Sequence, residues 1–449
     1  MGKSKTKNEQ VKRISQLQVI NLKAAGIDVS DTEMMVAYPV NHEQLEVRAF
    51  GCFTADLHGI AKCLKANGIT SVAMESTGVY WVALFLLLQE DGFDVCLVNA
   101  KHVKNVTGRK DDESDAEWIQ KLHSCGLLRA SFQPDSMTRT LRSLVRHRKN
   151  LVRTSSAYLN RMQKALELMN IKLHTIISDI DGKTGLRIVE AMLAGERNPE
   201  VLADMRDRRI KASREEIVKS LEGYWTIEHL FELRQCYKLY CEHRSMIEEC
   251  DKEIEKQLVG QIASKNEGVI PDMAEVKRKA SNGKHKIPYN LTANLKEVIG
   301  VDITQVFGIS EVSALTIMSE VGTDMSKWKT EHHFTSWLGL APNTKISGGK
   351  IISSRIMKKK HYAGQAFRMA ANSLYHSKSP LGDYYRRLRA KVGAAKAVVA
   401  TARKLAIIYY KMVVNQEAFN PKALEAYQHT YKARKINQLK KKIAQLEAA

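Results

Sequence analysis

Four acidic side chains stand beside apolar runs in the first quarter of the chain: Asp28 in AAGIDVS, Glu75 in ITSVAMES, and Asp112 and Asp115 in KDDESDAEW. Carboxylates brought together repel one another unless a cation joins them, and hard oxygen ligands favour Mg2+. Two such ions about 4 Å apart can activate the attacking oxygen and stabilise the leaving oxygen of a phosphoryl transfer. Singly, each acid has a plainer use. Asp112 and Asp115, three apart and so on one side of a helix, also suit a first turn, where acids satisfy free N–H groups and the macrodipole. A second candidate lies far downstream in TKISGGKIIS, where Ser347 precedes Gly348 and Gly349. A serine so placed is by default a turn residue.

The elements that must hold these residues can be read from periodicity. AAGIDVS, EMMVAYPV and LEVRAFGCF are three extended runs joined by polar turns. A helix over 54–66 follows, with Leu57, Ile60, Ala61 and Leu64 at helical spacing; then come strand ITSVAMES, an apolar helix from Val79, and strand DVCLVNA. The order is βββαβαβ followed by a helix. It predicts three antiparallel strands extended by two parallel ones, with ligands at the carboxyl ends of strands, where the acids stand.

Beyond it, residues 137–173 form a long helix whose other faces carry Arg142, Arg146, Lys149 and Arg153, either a track for a phosphate backbone or a solvated face. A second helix, 228–258, repeats Leu233, Tyr240, Ile247 and Ile254 every seven residues, which suits an antiparallel hairpin or a dimer seam. Cys236, His243 and Cys250 share that spacing, so they read as a stripe beside the seam rather than as zinc ligands. Residues 260–298 dissolve into polar, Gly and Pro residues, a linker or inserted loop whose cations between Lys277 and Lys286 suit RNA. VFGISEVSALTIMSEVG resembles a helix-hairpin-helix unit, with Ser310 where a second glycine usually stands. In the tail, Ile436, Leu439, Ile443 and Leu446 alternate in steps of three and four among lysines, to dimerise, bind RNA or fray.

Composition limits the partners. With 449 residues, about three domains at roughly 150 each, the chain is 44% hydrophobic and 27% charged, an ordinary globular mixture. Seventy Lys and Arg against 49 Asp and Glu give +21, so nucleic acid is the default partner. The longest uncharged apolar run, 78–88, is short of the roughly 18 residues of a membrane span. The N-terminus lacks the apolar stretch of a secretory signal, and seven cysteines without a C-x-x-C pair suit reduced thiols. The expectation is a cytoplasmic, nucleoid-associated protein with no membrane partner.

GIDVS, MESTGVYW and KDDESDA, in that order, resemble the acidic motifs of the DEDD transposases of the insertion-sequence one-ten family, and GLAPNTKISGG resembles that family's G-L-x-P…S-G motif at Gly339, Leu340, Pro342, Ser347 and Gly348. The resemblance spans roughly residues 22–125 and 300–415. It implies an α/β RNase H/RuvC-like catalytic domain, a long helical coiled-coil middle, and a mostly α C-terminal transposase domain with the helix-hairpin-helix-like element. The implied boundaries are a basic arm at 1–21, the catalytic domain at 22–130, the helical region at 131–259, the linker at 260–298, the serine-bearing domain at 299–415 and a basic helical tail at 416–449. The implied tetrad is Asp28, Glu75, Asp112 and Asp115 on two Mg2+ ions. Asp111 is an extra candidate where the family carries a small polar residue.

Ser347 is the implied nucleophile, ahead of Ser353 and Ser354, with Lys345, Lys350 and Arg355 offsetting phosphate charge. The implied activity is DNA strand cleavage and exchange through a covalent phosphoserine. The implied partners are donor and target DNA and a structured non-coding guide RNA. Ser347 lies far along the chain from the acids, so either the helical middle folds the domains together or, as the favoured arrangement, one subunit's serine completes another's metal site in a homodimer or homotetramer. Two other readings use the same residues: a RuvC-like metal nuclease or junction resolvase in which the acids activate water, and a non-enzymatic nucleic-acid-binding protein.

Overall fold

The computed structural model describes residues 18–41, 44–100, 103, 114–269, 286–357 and 361–447. Asp111, Asp112, the basic arm to residue 17 and residues 270–285 of the basic loop lie outside them. The chain divides into two compact units, residues 1–133 and 134–449.

The first unit is a mixed sheet with helices on both faces. Its elements are β1 (Ala24–Val29), β2 (Met34–Pro39), β3 (Leu45–Phe50), α1 (Thr54–Ala66), β4 (Ser71–Glu75), α2 (Trp81–Glu90), β5 (Asp94–Val98) and α3 (Asp115–Ser124). The strand order is β3-β2-β1-β4-β5, with β1 antiparallel to β2 and parallel to β4, as the sequence order predicts. The arrangement is consistent with an RNase H-like domain.

Alternation along the strands assigns the two faces. Ile27, Val29, Val72 and Met74 join α1 and α2 in one core, with Leu57, Ile60, Leu84 and Phe85. Each such side chain contributes about 1.5–3 kcal/mol by leaving water. Ala73 and Val98 face the other way, against Trp118, Ile119 and Leu122 of α3. Small residues on this second face let α3 come very close. A Cβ at Gly26 would lie 2.4 Å from the Ala116 carbonyl oxygen and 2.2 Å from the Gln120 nitrogen.

The second unit is mostly helical. It begins with α4 (Ser136–Leu168), continues through the short helices α5 (Leu173–Ile176), α6 (Lys183–Ala194), α7 (Pro199–Asp204) and α8 (Arg214–Leu221), and returns along α9 (Ile227–Lys265). Leu144 meets Cys250, Arg148 meets Asp251 and Tyr158 meets His243, so α4 and α9 run antiparallel. The seven-residue stripe Leu233, Tyr240, Ile247 and Ile254 is buried. Of the two uses open to that stripe, the structure selects the hairpin within the chain. Cys236 and Cys250 are buried beside it, and among the described residues no group of metal-type ligands gathers there.

Next come α10 (Leu291–Ile299), α11 (Glu311–Val321), α12 (Glu331–Trp337), the hairpin β6 (Lys345–Ser347) and β7 (Lys350–Ser353), α13 (Tyr362–Ser373), α14 (Pro380–Val392), α15 (Ala394–Asn415) and α16 (Pro421–Glu447). Phe334, Trp328, Phe367 and Tyr409 form the aromatic centre of this part, and the Tyr410 hydroxyl donates to the Trp328 carbonyl at 2.7 Å. At the helix-hairpin-helix-like segment, Ser310 caps α11 by accepting from the Ser313 N–H. Gly308 (φ +88°) has the Ala370 carbonyl oxygen 2.5 Å from where a Cβ would stand, so the close backbone approach there is to α13.

Candidate active site and nucleic-acid interface

Asp28 and Glu75 follow directly on the parallel pair Ile27 and Met74, at the carboxyl ends of adjacent strands. Counting back by twos, Asp28 shares the face of Gly26, and Glu75 shares that of Ala73: both belong to the face that α3 covers. Helix α3 runs antiparallel to β1, because His123 in its last turn lies 2.8 Å from Ser71 at the start of β4 while Ala116 lies against Gly26. Its first residue, Asp115, therefore stands at the same end as Asp28 and Glu75. Three carboxylates share one face and one end of the sheet.

Helix capping does not account for Asp115. Ser114 is the N-cap: its hydroxyl accepts from the Glu117 N–H at 3.3 Å, and the Glu117 carboxylate accepts from the Ser114 N–H at 2.7 Å. That capping box is closed without the Asp115 side chain. Glu75 is only 8% exposed, and the Thr77 hydroxyl donates to its Oε1 at 2.7 Å. Thr77 was not among the sequence candidates; its only signal is its place two residues after the acid. Among the described residues no three metal-type side chains form a closed cluster, and Asp112 lies outside them. The donors present are all carboxylate oxygens, the set that suits a divalent cation such as Mg2+.

Ser347 sits on the other unit. Pro342 bridges to Ile356, and the Asn343 N–H donates to the Arg355 carbonyl at 3.0 Å, anchoring the base of the β6–β7 hairpin. At its tip Ser347 pairs with Lys350 across Gly348 (φ +56°) and Gly349 (φ +73°). Two consecutive left-handed residues make the tight turn whose twist matches the strands, and glycine adopts both without a Cβ penalty. Lys345, Ser347, Lys350 and Arg355 are exposed. Ser353 is half-buried and its hydroxyl accepts from the Arg355 N–H at 3.4 Å, whereas Ser354 is exposed.

The four cations picked out on α4 divide into two pairs. Arg146 forms two hydrogen bonds with Glu320, at 2.7 and 2.8 Å, and Arg142 donates to the Ser319 and Glu320 carbonyls at 3.4 and 2.6 Å. Both arginines thus tie α4 to the end of α11, and burial lowers the pKa of Arg142. Lys149 and Arg153 are exposed and form no ion pair among the described residues.

A basic region that the sequence candidates left out lies on α14 and α15. There burial, reinforced by Arg387, pushes the Lys404 ammonium pKa down. The charge is very unevenly shared. Residues 1–133 hold 15 Lys and Arg against 16 Asp and Glu, and residues 134–449 hold 55 against 33.

A carboxylate-bearing mixed sheet joined to a strongly basic helical body is the layout of an enzyme that works on nucleic-acid strands. The family model DEDD_Tnp_IS110, described as a transposase, matches residues 25–171, and the model for the transposase IS116/IS110/IS902 family matches residues 302–386. These spans together cover just over half of the sequence, and the chain belongs to the IS110 family of transposases. Its substrate is DNA and its reaction is recombination. No curated protein matches it.

Proposed function

We propose that the protein cuts and rejoins DNA through Ser347, on a phosphate held at Asp28, Glu75, Asp112 and Asp115. The observation that carries this reading is that Asp28, Glu75 and Asp115 share one face and one end of the sheet, while Ser114 and Glu117 form the capping box of α3. In the step proposed, the Ser347 Oγ–P bond forms, the bond from phosphorus to one deoxyribose oxygen breaks, and the serine proton ends on the departing oxygen. The product is a phosphoserine diester that keeps the bond energy, so a second deoxyribose hydroxyl can reverse the step and reseal the strand without ATP. Bound Mg2+ would supply Lewis-acid stabilisation of charge on the phosphate oxygens.

The chain's own residues do the rest. Thr77 orients Glu75, the turn at Gly348 and Gly349 projects Ser347, and Lys345, Lys350 and Arg355 offset the charge of the attacked phosphate. The excess charge of the second unit suits two polyanions at once, DNA and a structured guide RNA encoded by the element. Lys149 and Arg153 are its exposed contacts on α4; Arg142 and Arg146 act by fixing α11. The active assembly is a homodimer or homotetramer.

The test combines purified protein, RNA transcribed from the flanking sequence, labelled element-junction DNA and Mg2+ on a denaturing gel. A protease-sensitive DNA–protein band, lost in Ser347→Ala and in Asp28→Ala, is the expected result. Cleavage without that band that survives Ser347→Ala would replace the proposal with a metal nuclease. A mixture of the two variants that never recovers activity would reject a site shared between subunits.

A further inference from the structure

Alongside the exposed cations of α4 runs an apolar slot of about 280 Å3 between α4, α11 and α13. Val145, Val152, Leu315 and Ala366 line its interior, and Val312 and Met369, 39% and 60% exposed, form its lips. Lys149 and Tyr362 close one side, with the ammonium 4.6 Å from the ring centroid. On the same ring the Arg146 guanidinium lies at 4.8 Å. The slot is large for a water site, since even benzene occupies an apolar cavity of about 150 Å3.

We propose that this slot receives a nucleobase turned out from a single-stranded stretch of nucleic acid, whose phosphates follow Lys149 and Arg153. The inference rests on the reading of the second unit as the body that holds nucleic acid. Charge decides the occupant. An apolar side chain of a protein partner would fill the slot equally well, but the rim offers cations to whatever flanks it. Lys149 and Arg153 stand one helical turn apart on α4, beside Val145 and Val152. A polynucleotide presents that combination at every residue: an apolar, flat base and an anionic linker.

A base in a duplex could not enter. Its faces are covered by neighbours, and a slot lined by side chains from three helices requires it to leave the stack. The surface therefore prefers a strand that is open, as in a loop of structured RNA or a melted DNA junction. Single-strand-binding proteins obtain sequence tolerance in the same way, from apolar faces beside a cationic groove.

The experiment measures fluorescence anisotropy with the full chain, using a mixed-sequence single-stranded 20-mer and the same 20-mer as a duplex. Val312→Trp plugs the mouth without changing charge. The expected result is about tenfold weaker single-strand binding for Val312→Trp, equivalent to about 1.4 kcal/mol. Duplex binding should change less than twofold. A benzophenone side chain at Met369 should crosslink to the single strand and not to the duplex, which checks the slot independently of how well the tryptophan variant folds.

Equal single-strand affinities for wild type and a folded Val312→Trp, with no crosslink, would overturn the slot while leaving nucleic-acid binding by the unit intact. Parallel losses on single strand and duplex would overturn it too, marking the face as an ordinary duplex contact. Absence of binding to either probe would remove the underlying reading as well.

Discussion

Gly26→Ala tests whether the close approach of α3 to β1 sets the site. The added Cβ would stand 2.2 Å from the Gln120 nitrogen and 2.4 Å from the Ala116 carbonyl oxygen, where ordinary contact begins at 3.4 Å. Both clashing atoms are backbone, so no rotamer change relieves them. Helix α3 must withdraw by about 1.2 Å, the difference between 3.4 and 2.2 Å. Asp115 begins that helix and moves with it, while Asp28 stays on the strand. Overpacking of this kind costs about 1–3 kcal/mol, which lowers Tm by about 3–10 °C in a unit of this size. A displacement near 1 Å at a reacting centre costs roughly a hundredfold in rate. Scanning calorimetry should show the modest stability loss, and the DNA–protein adduct should form about a hundredfold more slowly at a temperature where the variant is folded. Wild-type adduct formation in Gly26→Ala would refute the claim that the position of α3 governs the chemistry.

Three further outcomes follow from the same geometry. Asp251→Asn removes the carboxylate from Arg148, whose side chain is 7% exposed against 2% for Asp251; it should cost about 3–5 kcal/mol in urea unfolding, whereas Arg148→Met with Asp251→Leu should recover most of that loss. If the double variant proved as unstable as Asp251→Asn, burial of the charge would not be the cause. His123 is pushed below the ordinary histidine pKa by burial, against the pull of Asp94, so the unfolded chain binds its proton more readily than the folded one. Stability should therefore be full above pH 6.5 and fall below it, with a shallower fall in His123→Gln; identical pH profiles would remove His123 as the source. Gly348→Ala places a Cβ at φ +56°, costing roughly 1–2 kcal/mol in an exposed hairpin. The adduct yield should drop about tenfold with a fall in Tm of no more than a few degrees, and an unaltered yield would mean that the turn does not present the serine.

Much of the first unit was legible in the sequence because its signals are local. Strand alternation, the helix over 54–66 and acids at strand ends all lie within a few residues of what they determine. The cap of α3 was not settled that way. An acid in a first turn reads as a cap until the hydroxyl of Ser114 and the carboxylate of Glu117 are seen to close the box between them. The second unit hid more. Arg142, Arg146 and Arg148 look alike in sequence, and their partners lie more than a hundred residues away, at Glu320 and Asp251. Only folding reveals which cations are internal and which remain for a ligand. The heptads of α9 were ambiguous for the same reason, since a buried stripe looks identical whether its partner is α4 or another subunit.

The uneven charge implies that affinity and the carboxylate site reside in different units. With 15 basic against 16 acidic residues, the first unit offers a polyanion no net attraction, and its carboxylates repel the very phosphate they are proposed to process. The second unit, 55 against 33, must supply the counterion release that drives binding. Substitutions should then separate cleanly. Asp28→Asn and Glu75→Gln should abolish the adduct yet leave DNA affinity and its salt dependence as they are. Lys149→Ala should weaken binding and reduce the slope of log affinity against log salt by about one, the signature of one lost phosphate contact. The measurement is a salt titration of DNA binding for each variant in the absence of Mg2+, which removes any contribution of metal to the first unit. Were Asp28→Asn to change the slope as much as Lys149→Ala does, the phosphate backbone would have to contact the carboxylate face in the ground state. The division between a unit that holds the polyanion and a unit that carries the carboxylates would then fail.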